Sequence, residues 1–143
     1  MTNFTSVDFL DTNILVYTVS RRSEDAKKAV VARALIQPAG QAISLQVLQE
    51  FYRVATHPKK LGYPHDEAVL FCDGWRRCFT VLEPTLRLFD ESLKVCARYQ
   101  SSYFDASVVT AAGMMGCTMV YSEDLDDGQH YHGVRVVNPF LAL

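Results

Sequence analysis

Several things are missing from this sequence, and each absence removes a class of protein. No apolar run reaches the roughly 18–20 residues that a membrane helix needs, so no spanning segment is expected. The opening Met1-Thr2-Asn3-Phe4 carries neither a basic stretch nor a long apolar one, and without a secretory signal the expected location is the cytoplasm. Cys72, Cys78, Cys96 and Cys117 are widely and irregularly spaced with no C-x-x-C pair. That spacing suits neither a structural zinc site nor a dense disulfide framework. Reduced, mostly buried thiols are expected instead, with Cys72 and Cys96 on apolar helical stripes. Internal repeats, low-complexity tracts and interdomain linkers are absent too, so residues 1–143 read as a single domain. An excess of positive charge is also lacking: the formal net charge is −2, unlike the basic balance usual in nucleic-acid binders.

That sum conceals a distribution. Cations come in doublets, Arg21-Arg22, Lys27-Lys28, Lys59-Lys60 and Arg76-Arg77, while acids recur beside the apolar segments. A negative pocket with a positive rim gives such a total, and so does any solvated surface. Hydrophobic residues at 49% and charged residues at 21% are ordinary for a globular domain, and 143 residues suffice to build a core without covalent staples.

Along the chain, short β-rich runs alternate with helical patterns. Strands are expected at 7–10, 42–44, 79–82, 118–121 and 134–137. Between them, Ile14–Val19 predicts a short apolar helix. Ser23 with Glu24 and Asp25 predicts a helix start, with Ala26, Ala29, Val30, Arg33 and Ala34 on one face and a stop before Pro38-Ala39-Gly40. Leu45–Ala55 predicts a helix with Val47, Leu48, Phe51 and Ala55 inward. Pro64 opens another, with Ala68, Phe71, Cys72 and Trp75 at i, i+3, i+4 and i+7. Leu86, Phe89, Leu93, Cys96 and Ala97 mark a further helix, and 105–115 is apolar nearly all round, as a buried helix would be. The alternation implies an α/β fold with a mostly parallel five-stranded sheet between helical layers. Ligands in such folds sit beyond the carboxyl ends of the strands.

Four acids fall at or near those ends. Asp11 closes the first strand, and Asp124 follows the fourth by three residues. Glu50 lies two turns into the helix after the second strand, and Asp105 opens the most hydrophobic helix. Singly, each has a plain explanation: Asp11 and Asp105 as helix caps, Glu50 as a partner of Arg53 or Lys60, Asp124 as part of the solvated turn Glu123–Asp127. Together they do not. Two carboxylates about 4 Å apart repel by roughly 4 kcal/mol at an effective dielectric near 20, so four on one rim require a cation. Oxygen ligands without His or Cys favour Mg²⁺, with Mn²⁺ as a substitute. Such an ion can polarise a phosphoryl oxygen and activate water, which is phosphodiester hydrolysis. Thr12, Asn13 and Ser122 stand where they can orient the carboxylates or bound waters, although Thr12 and Asn13 also suit ordinary helix capping.

The segments V-D-F-L-D-T-N-I-L-V-Y (7–17), L-Q-V-L-Q-E-F-Y-R-V (45–54), Y-F-D-A-S-V-V-T-A-A (103–112) and V-Y-S-E-D-L-D-D-G-Q (120–129) together resemble the PIN-domain nucleases, and within these the VapC-type toxins of bacterial toxin–antitoxin pairs. The closing V-R-V-V-N-P-F (134–140) is similar as well, so the resemblance spans about residues 6–140. It implies a PIN-like three-layer α/β/α sandwich and a Mg²⁺-dependent endoribonuclease. Asp11, Glu50, Asp105 and Asp124 would be its catalytic acids, with Asp11 and Asp105 the main metal ligands, Asp124 completing the site and Glu50 positioning water. It also implies an RNA substrate (tRNA, rRNA or mRNA), a homodimer, and a VapB-type antitoxin whose C-terminal segment covers the acidic groove. The variable middle section, residues 57–79, would shape substrate choice.

Other features carry less. His130 and His132 beside Asp126 and Asp127 suggest a second metal site, yet read more simply as exposed loop. Tyr63, Trp75, Tyr99 and Tyr103 could stack on unpaired bases, but Trp75 falls on an apolar stripe. Arg21, Arg22, Lys59 and Lys60 lie in loops suited to phosphate contacts. Three rival readings remain: a non-catalytic binding module, another Mg²⁺-dependent α/β protein such as a phosphatase or receiver domain, and a DNA-directed nuclease. The second needs an acidic pair or D-x-D after the first strand, which Asp11-Thr12-Asn13 does not supply.

Overall fold

The computed structural model describes residues 7–37 and 40–143. Met1–Phe4, read above for a leader, and Pro38-Ala39, read as a helix stop, lie outside the described residues. In chain order the elements are β1 (Asp8–Leu10), α1 (Thr12–Val19), a 3-10 turn (Ser23–Asp25), α2 (Ala26–Leu35), β2 (Gln41–Ser44), α3 (Leu45–Thr56), α4 (His65–Cys78), β3 (Thr80–Leu82), α5 (Leu86–Tyr99), α6 (Tyr103–Met114), β4 (Met119–Tyr121), β5 (His130–Tyr131) and β6 (Val134–Val137).

The strands form one sheet in the order β3-β2-β1-β4-β6-β5, parallel except for β5, which runs antiparallel to β6. Six strands thus stand where five were expected. The additional one, β5, lies in the His130–His132 stretch read as loop. His132 (φ 50°) and Gly133 (φ 86°) both take left-handed backbone conformations, as a tight two-residue hairpin turn demands. With Tyr131 buried beneath it, that turn makes a strand from a stretch whose composition reads as polar.

Every position of β2 is buried, as expected for a strand covered on both faces. Helices α1 to α4 pack on one another, α5 pairs with α6, and α6 lies against β2, β4 and β6. Phe9, Leu10, Ile14, Leu15, Ile43, Phe51, Val120 and Val136 form the fully enclosed centre.

Two helical faces are turned from their expected positions. On α2 the inward residues are Ala29 and Ala32 with Val31 and Leu35 beside them, while Val30 is 66% exposed. On α5 the inward residues are Leu88, Ser92 and Val95. The strongest apolar stripe of that helix looks outward: Leu86, Phe89 and Leu93 are 82%, 46% and 45% exposed. Ser92 is accommodated inside because its hydroxyl donates to the Leu88 carbonyl at 2.6 Å, so this buried hydroxyl is not left unmatched. Among the cysteines only Cys117 is buried. Cys72, Cys78 and Cys96 are half-buried, and all four are free thiols.

The chain lays β2 and β3 to one side of β1 and then returns to place β4 on the other. The strand order therefore reverses between β1 and β4, where open α/β sheets form their binding crevice.

Candidate functional site

Leu10 pairs with Tyr121 across β1 and β4, so the residues that follow each strand emerge side by side. The Asp11 N–H donates to the Tyr121 carbonyl at 3.0 Å, and the Ser122 N–H to Val137 at 3.1 Å. Asp11 is the N-cap of α1, accepting from the Thr12 N–H at 2.8 Å through Oδ1. The sequence offered a cap or a site residue, and the geometry permits both, because a carboxylate has about four acceptor positions.

Ser122 is the centre of this arrangement. Fully buried, its hydroxyl donates to Asp11 Oδ2 at 2.6 Å and accepts from Asn13 Nδ2 at 3.3 Å and from the Asp124 N–H at 3.1 Å. Asn13 Nδ2 also reaches Asp124 Oδ2 at 3.3 Å, and its Oδ1 accepts from the Glu123 N–H at 3.3 Å. Asn13 and Ser122 thus tie the end of β1 to the end of β4 and hold Asp11 and Asp124 on either side of one small polar cluster.

Glu50 enters from α3. Thr12 Oγ1 donates to its Oε2 at 3.1 Å, and Gln46 Nε2, one turn earlier, donates to its Oε1 at 3.0 Å. The Gln46 amide is itself oriented by the buried Ser107 hydroxyl, which donates to Gln46 Oε1 at 3.1 Å. Ser107 and Gln46 were not among the expected site residues. The i, i+4 spacing of Gln46 and Glu50 was a local signal for this contact, whereas Ser107 is visible only once α6 is folded against α3.

Asp105 does not cap α6. Ser102 does, accepting from the Asp105 N–H at 3.3 Å, and the Asp105 carboxylate stands in the first turn without a side-chain hydrogen bond among the described residues.

The electrostatics follow from this crowding. Burial raises the pKa of Asp11 to about 6; its bonds to Ser122 and Thr12 oppose the shift, and the charges of Asp124 and Glu50 add to it. Asp124 is also raised, by burial first, then by Glu123, Asp105 and Glu50, against the bond from Asn13. Among the described residues no salt bridge reaches Asp11, Glu50, Asp105 or Asp124. As they stand, no three His, Cys, Asp or Glu side chains among the described residues form a group able to hold a metal ion. The donor chemistry nevertheless fits a hard divalent cation: oxygen ligands only, mutual repulsion, and no ion pair to any of the four among the described residues.

Two clefts meet at Asp124. One, of about 320 Å³, includes Thr12, Asn13, Glu50 and Asp124 together with Arg22, Arg53 and Lys60. The other, of about 280 Å³, includes Asp105 and Asp124 with Tyr99 and Tyr131, and no Lys or Arg lines it. Of the four expected phosphate contacts, Arg22 and Lys60 lie on the first cleft, with Arg22 also paired to Glu24 at 2.7 Å. Arg21 and Lys59 do not line it. Arg21 turns to Glu67, 3.9 Å away, and over the Tyr63 ring. Arg53, taken from sequence only as a partner for Glu50, lines the cleft in their place.

The aromatic expectations also sort themselves. Tyr63 is buried with its hydroxyl donating to the Val19 carbonyl, and Trp75 stacks on Phe79 inside the α3–α4 layer, so neither is free to stack on a base. Tyr103 packs against Phe89, while Tyr99 lines the acidic cleft. Beside Asp124, Glu123 is neutralised by Lys28 at 2.8 Å and accepts from the Tyr17 hydroxyl. One carboxylate of the acidic turn is thereby withdrawn from the cluster.

The PIN domain family model matches residues 9–130. No curated protein sequence matches significantly. Among solved structures, the chain is similar to a toxin–antitoxin complex from Klebsiella pneumoniae, with TM-score 0.66 and 20% identity over 93% of this chain and 98% of that one. It is also similar to a DNA-bound VapBC from Salmonella typhimurium, with TM-score 0.63 and 20% identity over 92% and 97% of the two chains. A third likeness is to a sarcin-ricin loop cleaving VapC toxin from Mycobacterium tuberculosis, with TM-score 0.61 and 18% identity over 79% and 86%.

Proposed function

Since this chain belongs to the PIN domain family, we propose that it is a divalent-metal-dependent endoribonuclease and the toxin of a toxin–antitoxin pair. The observation that carries the reading is the Asp11–Asn13–Ser122–Asp124 cluster at the β1/β4 switch point, with Glu50 and Asp105 on either side and no cation among them. In this reading the whole chain is one catalytic domain acting in the cytoplasm.

Asp11, Asp105 and Asp124 would hold Mg²⁺, or Mn²⁺ in its place. Bound there, the ion would neutralise the carboxylates, polarise a phosphoryl oxygen and lower the pKa of water. The protein's own groups do the rest. Ser122 and Asn13 keep Asp11 and Asp124 oriented. Glu50, with each oxygen already accepting one hydrogen bond, is held in a single orientation from which a lone pair can align an attacking water. Arg22, Arg53 and Lys60 offer phosphate contacts along the adjoining cleft.

The toxin role is supported by the likeness of this fold to those of toxin–antitoxin proteins. A VapB-type antitoxin segment fits the acidic groove if it brings a cation to the carboxylates. A homodimer is supported by the outward stripe of Leu86, Phe89 and Leu93 with Phe104, 64% exposed, beside it. Leu86, Phe89 and Leu93 share one face of α5, and an exposed apolar face of this kind marks a protein interaction site.

The test is cleavage of total RNA by the purified chain with Mg²⁺, with EDTA, and by Asp11→Asn, with the new 5′ ends mapped. Discrete metal-dependent ends that vanish in the variant support the reading. Full activity in EDTA or in Asp11→Asn rejects it, and cleavage of DNA but not RNA would favour the DNA-directed alternative.

A further inference from the structure

Behind the β5–β6 turn from the acidic cleft lies a groove of about 520 Å³ between α5 and α6, distinct from both clefts at the acids. Arg87, Glu91, Lys94 and Arg98 line it at i, i+4, i+7 and i+11 of α5, so one helical row supplies three cations and one acid. The acid is already engaged: Glu91 Oε1 accepts from Lys94 Nζ at 3.1 Å. His132 borders the groove from the hairpin turn. Thr110, whose buried hydroxyl has no hydrogen-bond partner among the described residues, borders it from α6.

The groove and the acidic cleft share one ridge. Arg98 lines the groove and Tyr99 the cleft; His132 lines the groove and Tyr131 the cleft. The ridge is braced, because the His132 N–H donates to the Tyr99 hydroxyl at 3.2 Å and the Tyr99 and Tyr131 rings meet edge-on at 4.9 Å. Arg98 in turn lies over the Tyr99 ring at 5.5 Å. A path across the molecule therefore runs from cations (Arg22, Arg53, Lys60) through the carboxylates to aromatic rings and then to cations again.

We propose that the α5–α6 groove is a second phosphate-backbone site for single-stranded RNA, holding the strand where it leaves the acidic cleft over Tyr99. The proposal rests on the ribonuclease reading and adds a distal contact to it. Net charge at the acids is unfavourable to a polyanion, and cations on both flanks offset that repulsion where no metal is needed. Aromatic faces tolerate any base, so the site would add affinity and length dependence without sequence preference.

The test compares hexauridylate with poly(U), binding both to the full chain in the Asp11→Asn background so that bound RNA is not cut. Replacing Arg87 and Arg98 together by Gln should weaken poly(U) binding about tenfold and flatten its salt slope by about 1.4, two phosphate contacts' worth for a single strand. Hexauridylate binding should stay unchanged, as should metal-dependent cleavage of the hexamer when Asp11 is restored. Glu91→Gln, which frees Lys94, should tighten poly(U) binding, and this gain does not depend on how well the double variant folds. Equal loss for both RNAs, or no change for poly(U) in either variant, overturns the proposal. Normal RNA binding with lost retention of poly-glutamate would assign the groove to an acidic protein segment instead. If the parent chain binds neither RNA, the ribonuclease reading itself falls, whereas normal parent binding with indifferent variants rejects the groove alone.

Discussion

Asp11 and Asp105 both stand close enough to Asp124 for their charges to be felt there, yet they are built differently. Asp11 is 7% exposed, follows a central strand, and has both oxygens bonded, to the Thr12 N–H and to the Ser122 hydroxyl. Asp105 is half-buried, sits in a helix turn capped by another residue, and has no side-chain bond among the described residues. The first is a carboxylate placed by the folding of the sheet, and its charge is opposed by its own surroundings. The second is placed by one helix and faces the cleft with its carboxylate unbonded among the described residues. Two acids that a motif would treat alike thus differ in how firmly their surroundings hold them.

Neutralising each acid separates their roles most directly. Asp11→Asn and Asp105→Asn should each lower cleavage by about a thousandfold, as loss of a group acting in the transition state does. Their stabilities should then separate. The folded pKa of Asp11, about 6, lies above its unfolded value, so its charge destabilises the folded state at neutral pH. That penalty is full above about pH 6 and disappears below about pH 4. Asp124 and Asp8 are shifted in the same direction. Metal-free protein should therefore gain stability as pH falls from 7 toward 5. Asp11→Asn should remove much of that gain by being roughly 1–3 kcal/mol more stable than the parent at pH 7, while Asp105→Asn, which breaks no side-chain hydrogen bond among the described residues, should shift the melting temperature far less. Thermal unfolding in EDTA across this range checks both, and identical pH profiles for all three proteins would refute the division. Added Mg²⁺ should raise the melting temperature of the parent at pH 7 and that of neither variant.

A smaller effect sharpens the contrast from the Asp11 side. Ser122→Ala removes the donor to Asp11 Oδ2 and the acceptor for Asn13 and the Asp124 N–H. A loss of about 1–3 kcal/mol is expected from leaving buried groups unpaired, with cleavage reduced about tenfold or more. Unchanged denaturant midpoints would mean that Ser122 is not the tie between β1 and β4. Smaller again, Gln46→Leu deprives Glu50 of one of its two donors. It should lower kcat several-fold with KM unaltered, and a change confined to KM would place Gln46 in substrate binding. Smallest is Lys28→Met. Its pair with Glu123 is partly exposed, so less than about 1 kcal/mol of stability is expected to depend on it, measured by urea unfolding at low and high salt.

Much of this was legible along the chain. Strands and helices alternate where the β-rich runs and helical spacings lie, and Asp11, Asn13, Ser122 and Asp124 stand together as strand-end positions suggested. Less legible were the positions whose partner is remote. Periodicity located α5 but chose its outward face for the core, because Leu86, Phe89 and Leu93 are more apolar than Ser92, and only the Leu88 carbonyl makes Ser92 an acceptable interior residue. Arg21 and Lys59 were as basic as Arg22 and Lys60, yet the turn of the chain gave the cleft to the latter pair and to Arg53.

The amino-acid sequence by itself determined that the chain is an α/β domain with acids at the strand ends, since alternation, caps and apolar spacing are local properties. Only the tertiary structure decided that the strand order reverses between β1 and β4, and with it that Asp11 and Ser122 emerge side by side. It also decided that Glu50 is held by a relay from Ser107 on another helix, and that Asp11 and Asp105 differ in burial although both stand at helix starts. The physical reason is common to all of these. Hydrogen bonding, desolvation and charge repulsion depend on distances between residues far apart in the chain, and those distances do not exist until the sheet has closed its order.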